Sequence, residues 1–149
     1  MALSAEKLTN NQQTVLDLLE KSKEPLKAYA ILYDTQKKGI KAPLQVYRAL
    51  DKLIEIGKVH KIESRNSYIA CEHKNCNSST STSFLICETC DQVSELKQKN
   101  LPSYFAKQSE QADFKYAKHN LEIYGVCKDC KLMNVLDHLR YALEILSKI

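Results

Sequence analysis

Four cysteines stand in two pairs, Cys87/Cys90 and Cys127/Cys130, each with two residues between them. That spacing lets both thiolates of a pair turn toward one ion at about 2.3 Å. Two such pairs complete a tetrahedral all-sulfur set, the geometry of a structural zinc site with no coordination position left open for catalysis. Four cysteines with coincidental spacing are the alternative. A second, less regular group surrounds the first pair. His60 and Cys71 fall on the two arms of a hairpin pattern, His73 and Cys76 follow within a few residues, and Glu95 lies just beyond Cys90. Antiparallel pairing brings residues of two arms together. Imidazole, thiolate and carboxylate jointly suit a borderline-soft ion such as zinc better than magnesium or calcium. On spacing alone, a surface histidine and a small core cysteine explain His60 and Cys71 equally well.

Other chemistries have less support. There is no nucleophile–base arrangement and no glycine-rich phosphate loop, and the chain holds three glycines in all, so an enzyme is not expected. A thiol redox protein carries one Cys-x-x-Cys pair near a βαβ pattern; two equivalent pairs without that order argue against it. A structural zinc-ribbon adaptor leaves the first half of the chain unexplained.

That first half is basic. Residues 1–71 carry 12 Lys/Arg against 8 Asp/Glu, whereas residues 72–149 carry 10 of each, so the net +4 belongs to the first half. Such asymmetry fits a polyanionic partner, and equally an ordinary solvated surface. With 44% hydrophobic and 27% charged residues the composition is that of a globular protein. No apolar run is long enough to span a bilayer, and residues 1–20 do not read as a signal segment. A cytoplasmic location follows, where reduced thiols favour metal ligation over disulfides for all six cysteines.

The elements that must position these residues follow from periodicity. Leu8–Leu19 reads as an amphipathic helix with Val15, Leu16, Leu18 and Leu19 inward. Pro25 is placed to open a second helix with Leu26, Ala30, Ile31 and Tyr33 on its apolar side, ending before Gly39. Pro43 opens a third, with Val46, Leu50, Leu53 and Ile54 at helical spacing, and Gly57 stops it. The period then becomes two: Val59, Lys61 and Glu63 alternate with His60, Ile62 and Ser64, Arg65-Asn66 turns, and Ser67–Cys71 returns. Three helices and a two-stranded hairpin are the order of a winged helix-turn-helix, whose third helix enters the DNA major groove. A small α+β domain without a nucleic-acid role has the same order.

Asn75–Ser83, NCNSSTSTS, is polar and aperiodic and reads as a hinge. Beyond it, short strands are expected at Phe84–Cys87 and Gln92–Leu96, a helix at Ser103–Gln111 and a strand within Asp113–Val126. A long amphipathic helix, Lys131–Ile149, carries Leu132, Val135, Leu136, Leu139, Leu143, Ile145 and Leu146 and needs a partner surface. The expected class is α+β. It comprises a winged-helix domain (1–71), a linker (72–83) and an α/β dimerisation and metal-binding domain (84–149).

Specific stretches add a resemblance. Gln45-Val46-Tyr47-Arg48-Ala49-Leu50-Asp51, Gly57-Lys58-Val59-His60-Lys61-Ile62-Glu63-Ser64, Asn66-Ser67-Tyr68 and Phe84-Leu85-Ile86-Cys87-Glu88-Thr89-Cys90 together resemble the ferric uptake regulator (Fur) family, in detail its zinc-sensing branch. The resemblance covers about residues 8–131. It implies a homodimeric repressor that binds double-stranded operator DNA, with one structural and one regulatory zinc ion per subunit. The structural ligands would be Cys87, Cys90, Cys127 and Cys130; the sensory ligands would be His60, Cys71 and Glu95. Many zinc-sensing members carry a fourth, histidine ligand seven residues before the first paired cysteine. Thr80 stands there instead, in a linker about one residue longer, and Cys76 or His73 is the substitute; a thiolate favours zinc over iron. His119 matches a position that serves an additional metal site in some members; a hydrogen-bonded strand histidine is the competing reading. Sensors of iron, manganese or peroxide are alternatives within the family, with sites richer in His and Asp than this one. On the DNA side the resemblance points to Tyr29 and Arg48 as base contacts and Tyr47 as a phosphate contact. Arginine grips guanine O6 and N7 with two hydrogen bonds. Lys41, Lys52, Lys58, Lys61 and Arg65 are candidates for phosphates.

Overall fold

A computed structural model describes residues 7–22, 24–72, 81–96 and 99–147. Helix α1 (Asn10–Lys21) begins two residues after Leu8 because Thr9 caps it. The Thr9 side chain accepts from the Gln12 amide while the Gln12 side chain accepts from the Thr9 amide. This reciprocal box is worth about 1 kcal/mol. Val15, Leu16 and Leu19 are buried. Helix α3 (Pro43–Glu55) starts at its proline and stops before Gly57, whose φ of 75° is the left-handed value that glycine allows.

The second helix departs from expectation. Pro25 does not open it; α2 spans Ala28–Thr35. Leu26 instead exchanges both backbone hydrogen bonds with Tyr68, at 2.9 and 2.8 Å, as an isolated antiparallel bridge. A residue committed to a strand partner cannot also begin a helix. The register shift leaves Ala30 and Tyr33 exposed and puts Ala28, Ile31 and Thr35 inside. Gly39 closes the following 3₁₀ turn at φ 97°, as its position after the helix foretold.

Strands β1 (Val59–Ile62) and β2 (Ser67–Ala70) pair antiparallel, His60 opposite Ile69. Strict alternation fails here: Val59, His60 and Ile62 are all buried. Both faces of this hairpin are covered. Val59 and Tyr68 pack on the helical core with Leu50 and Leu53, while Ile62 and Ile69 pack on Phe84, Ile86 and Val93 from beyond the linker.

A three-stranded sheet follows, in the order β4–β3–β5. Strand β3 is Thr82–Cys87, β4 is Val93–Glu95 and β5 is Asn120–Gly125. The β3–β4 pair is antiparallel and the β3–β5 pair parallel. Helix α4 (Leu101–Glu110) lies in the crossover. Strand β5, six residues long, is less than half of the alternating stretch Asp113–Val126. Asp113 takes a left-handed φ of 55°, and residues 114–119 are irregular. Helix α5 (Lys128–Ser147) begins three residues earlier than expected, inside the second cysteine pair. Its leucines, Leu132, Leu136, Leu139, Leu143 and Leu146, are all exposed in the single chain. No described helix is long and apolar enough to cross a membrane.

Candidate metal centres and nucleic-acid interface

The four paired cysteines converge. Cys87 ends β3 and Cys127 follows β5, and the parallel register sets Cys87 beside Gly125. The Glu88 amide donates to Gly125 O at 2.8 Å, drawing the two loops together. Asp91, at φ 60°, turns the chain directly after Cys90. All four sulfurs lie within 4.8 Å of one another, and Cys90 Sγ is 3.8 Å from Cys127 Sγ. A tetrahedron with zinc–sulfur bonds of about 2.3 Å has edges of about 3.8 Å, so the donor set fits zinc. The electrostatics agree. The Cys127 backbone amide (3.3 Å), then that of Cys90, pull the Cys87 thiol down to about 6. The Cys130 thiol is pushed up, first by its hydrogen bond to Cys127. Four crowded thiols cannot all ionise by themselves, and a dication at their centre relieves that conflict.

His60, Cys71 and Glu95 form the other group, their donor atoms also within 4.8 Å of one another. His60 comes from β1, Cys71 from the end of the hairpin and Glu95 from the end of β4. Pairing of Phe84 with Glu95 and packing of the His60 ring against Phe84, 5.9 Å between centroids, carry the histidine to the carboxylate. One nitrogen, one sulfur and one oxygen fill three corners of a tetrahedron and fit zinc. The expected fourth donors, His73 and Cys76, and Thr80 lie outside the described residues. Cys71 contributes the one sulfur of this group. It ligates as the thiolate.

His119 joins no metal-ligating group among the described residues. Its Nδ1 meets Tyr116 Oη at 2.7 Å and its Nε2 meets Ser83 Oγ at 3.1 Å, so both ring nitrogens are engaged. Tyr116 also bonds Ser81 Oγ at 2.9 Å. Partial burial lowers the His119 pKa. Protonation is therefore disfavoured in the fold, and this stability is full above about pH 6.5 and lost as pH falls through the lowered value. Urea unfolding of wild type and His119→Gln at pH 7.5 and 5.5 is expected to show the larger acid loss in wild type. Equal losses would mean that His119 titrates normally.

The third helix turns Val46, Ala49, Leu50 and Leu53 inward, which leaves Tyr47 and Arg48 on the outer face. Tyr29, at the start of α2, is 69% exposed, free for a ligand rather than spent on the core. Lys41 and Lys58 are exposed. Lys52 pairs with Glu55 at 3.4 Å and Lys61 with Glu63 at 2.8 Å. Arg65, the remaining phosphate candidate, pairs its Nη2 with Asp91 Oδ1 at 2.9 Å, where the hairpin turn leans on the cysteine loop.

Glu122 escaped the sequence reading. Its carboxylate reaches the hairpin turn, where Oε1 accepts from the Glu63 amide at 2.7 Å and Oε2 from the Ser64 amide at 3.3 Å. Tyr124 Oη donates to Oε2 at 2.8 Å. Partial burial favours the neutral acid, but the bonds from Ser64, Tyr124 and the two amides outweigh it and hold the carboxyl below its ordinary range. The one sequence signal was a carboxylate between Leu121 and Ile123 in an otherwise apolar run.

Comparison with known proteins gives a consistent set. Residues 4–124 match the Ferric uptake regulator family. The Zinc uptake regulation protein of Escherichia coli (strain K12) is 32% identical over 133 residues, 89% of this chain and 77% of that protein. The crystal structure of holo XcZur is 35% identical with a TM-score of 0.77, over 85% of this chain and 87% of that one. A zinc uptake regulator complexed with zinc and DNA is 28% identical with a TM-score of 0.79, over 87% and 86% of the two chains.

Proposed function

This chain belongs to the ferric uptake regulator family, and from that premise we propose that it is a zinc-sensing transcriptional repressor. In this reading it binds palindromic operator DNA of zinc-uptake genes as a homodimer, works in the cytoplasm and is not an enzyme. Similarity to a zinc uptake regulator complexed with zinc and DNA supports it. The observation that carries it is the meeting of His60 and Cys71, from the winged helix, with Glu95, from the sheet.

Residues 1–71 read DNA, residues 82–149 dimerise, with Thr82 and Ser83 of the expected 72–83 linker taken into β3, and residues 72–81 join the two. Cys87, Cys90, Cys127 and Cys130 hold the structural zinc. His60, Cys71 and Glu95 hold the regulatory one, with Cys76 or His73 as the fourth ligand. When bound, zinc supplies a cross-link between the two halves. The residues of the chain do the rest. Cys71 must be a thiolate and His60 neutral, so sensing weakens with acid. With the donors drawn together, the two α3 helices of a dimer keep the one spacing that meets successive major grooves. Arg48 and Tyr29 then read bases, while Tyr47, Lys61 and the exposed lysines hold phosphates. Linkage is reciprocal: operator DNA tightens zinc binding by the factor by which zinc tightens operator binding.

Anisotropy titration of an operator duplex in buffered free zinc, iron or manganese tests the function; a response to iron or manganese alone overturns it. Within that assay, Arg48→Ala is expected to cost about 1–3 kcal/mol of discrimination between operator and scrambled duplex. Retention of wild-type discrimination would remove Arg48 from the base-reading set.

A further inference from the structure

The hairpin turn Glu63–Arg65 is a 3₁₀ turn whose own residues provide no side-chain cap. Its leading amides are nevertheless bonded, by a residue 59 positions away. Glu122 takes the Glu63 amide at 2.7 Å and the Ser64 amide at 3.3 Å, and Tyr124 fixes the carboxylate from behind at 2.8 Å. On the same turn Arg65 reaches Asp91 at 2.9 Å, in the loop that follows Cys90. Between these polar anchors lies the apolar contact of Ile62 and Ile69 with Phe84, Ile86 and Val93. Neither polar anchor includes His60, Cys71 or Glu95, although Phe84 of the apolar contact also packs on the His60 ring and pairs with Glu95.

We propose that Glu122 is a positioning residue for DNA binding: with Arg65–Asp91 it forms a latch that holds the winged helix against the dimerisation sheet independently of the sensory metal. The inference rests on the zinc-sensing reading above. Two backbone amides on one carboxylate specify the angle of the turn as well as its proximity, because each bond is directional. Arg65 ties the same turn to the loop ordered by the four cysteines. The latch therefore biases the open–closed equilibrium toward the state that the regulatory zinc selects. A pre-biased equilibrium lowers the free zinc needed to complete closure. Glu122 touches neither metal nor DNA; it acts through the wing.

The test is operator binding by the full-length dimer across a series of buffered free-zinc concentrations, in reductant. Glu122→Ala is expected to raise the zinc concentration for half-maximal binding by about tenfold, while operator affinity at saturating zinc stays within about twofold of wild type. Amide exchange at Glu63 and Ser64 should quicken in the same variant. Glu122→Gln keeps one carbonyl acceptor and should fall between the two; it also serves if the alanine variant loses its structural zinc. An unchanged zinc midpoint with a folded variant overturns the latch, as does an affinity loss that persists at saturating zinc. If wild type itself shows no zinc response, the functional reading fails instead, whereas quickened Glu63 and Ser64 exchange still reports the latch.

Discussion

A Cys130→Ser variant is expected to bind one zinc ion fewer per subunit and to lose the folded dimerisation half. The size of the effect follows from how little else holds that half together in one chain. Its buried apolar side chains are few, Phe84, Ile86 and Val93 with Cys87, and α4, β5 and α5 contribute no fully buried residue. A structural zinc site contributes about 10–16 kcal/mol of apparent binding energy in small metal-folded units, which rivals the about 5–15 kcal/mol that stabilises a whole domain. Cys130 lies in the first turn of α5, so its loss also unpins the start of that helix. Metal content by elemental analysis, with size-exclusion chromatography and far-ultraviolet circular dichroism, reads the outcome. A variant that keeps its full zinc content and melts with wild type would show that the four-cysteine assignment is wrong.

Changing Cys71 to serine should do the opposite: a folded dimer keeps its structural zinc but no longer answers to free zinc. Serine removes the one sulfur among His60, Cys71 and Glu95. The remaining donors can still approach each other, because the hairpin register and the His60–Phe84 contact do not depend on the thiol. Allosteric coupling of this kind is worth about 5–150-fold in affinity, and the whole factor should vanish. The measurement is operator affinity with and without zinc, with reductant present so that Cys71 of the wild type is a thiol. A zinc response of wild-type size in the variant would move the sensor elsewhere.

The two metal groups were not equally legible in the sequence. A pair of cysteines two residues apart carries its geometry locally, so the Cys87/Cys90 and Cys127/Cys130 site could be read from spacing. Helix α3 was equally local, with a proline at its start and a glycine past its end. His60, Cys71 and Glu95 meet only because β1 packs across the β3–β4 pair, and that contact spans the linker. Resemblance supplied what periodicity could not. The misplaced start of α2 has the same origin: nothing near Pro25 reports that Leu26 is claimed by Tyr68, 42 positions on. Glu122 and Asp91 were invisible for that reason too. Their partners are backbone amides and an arginine in another domain, and no local pattern marks an acid that caps a distant turn.

The bridge between Leu26 and Tyr68 bears on how motion is transmitted. Two backbone hydrogen bonds splice a fragment of the segment before α2 onto the inner side of the wing, and Val59 and Tyr68 are sunk among the helices. A hairpin attached only at its ends would flap, and a pull on His60 would be absorbed as slack. Here the hairpin and the three helices turn as one crank, with Tyr68 as its weld. An angle imposed at His60 and Cys71 is thereby passed to α3, which carries Arg48, through Val59 and Tyr68 packed on Leu50 and Leu53.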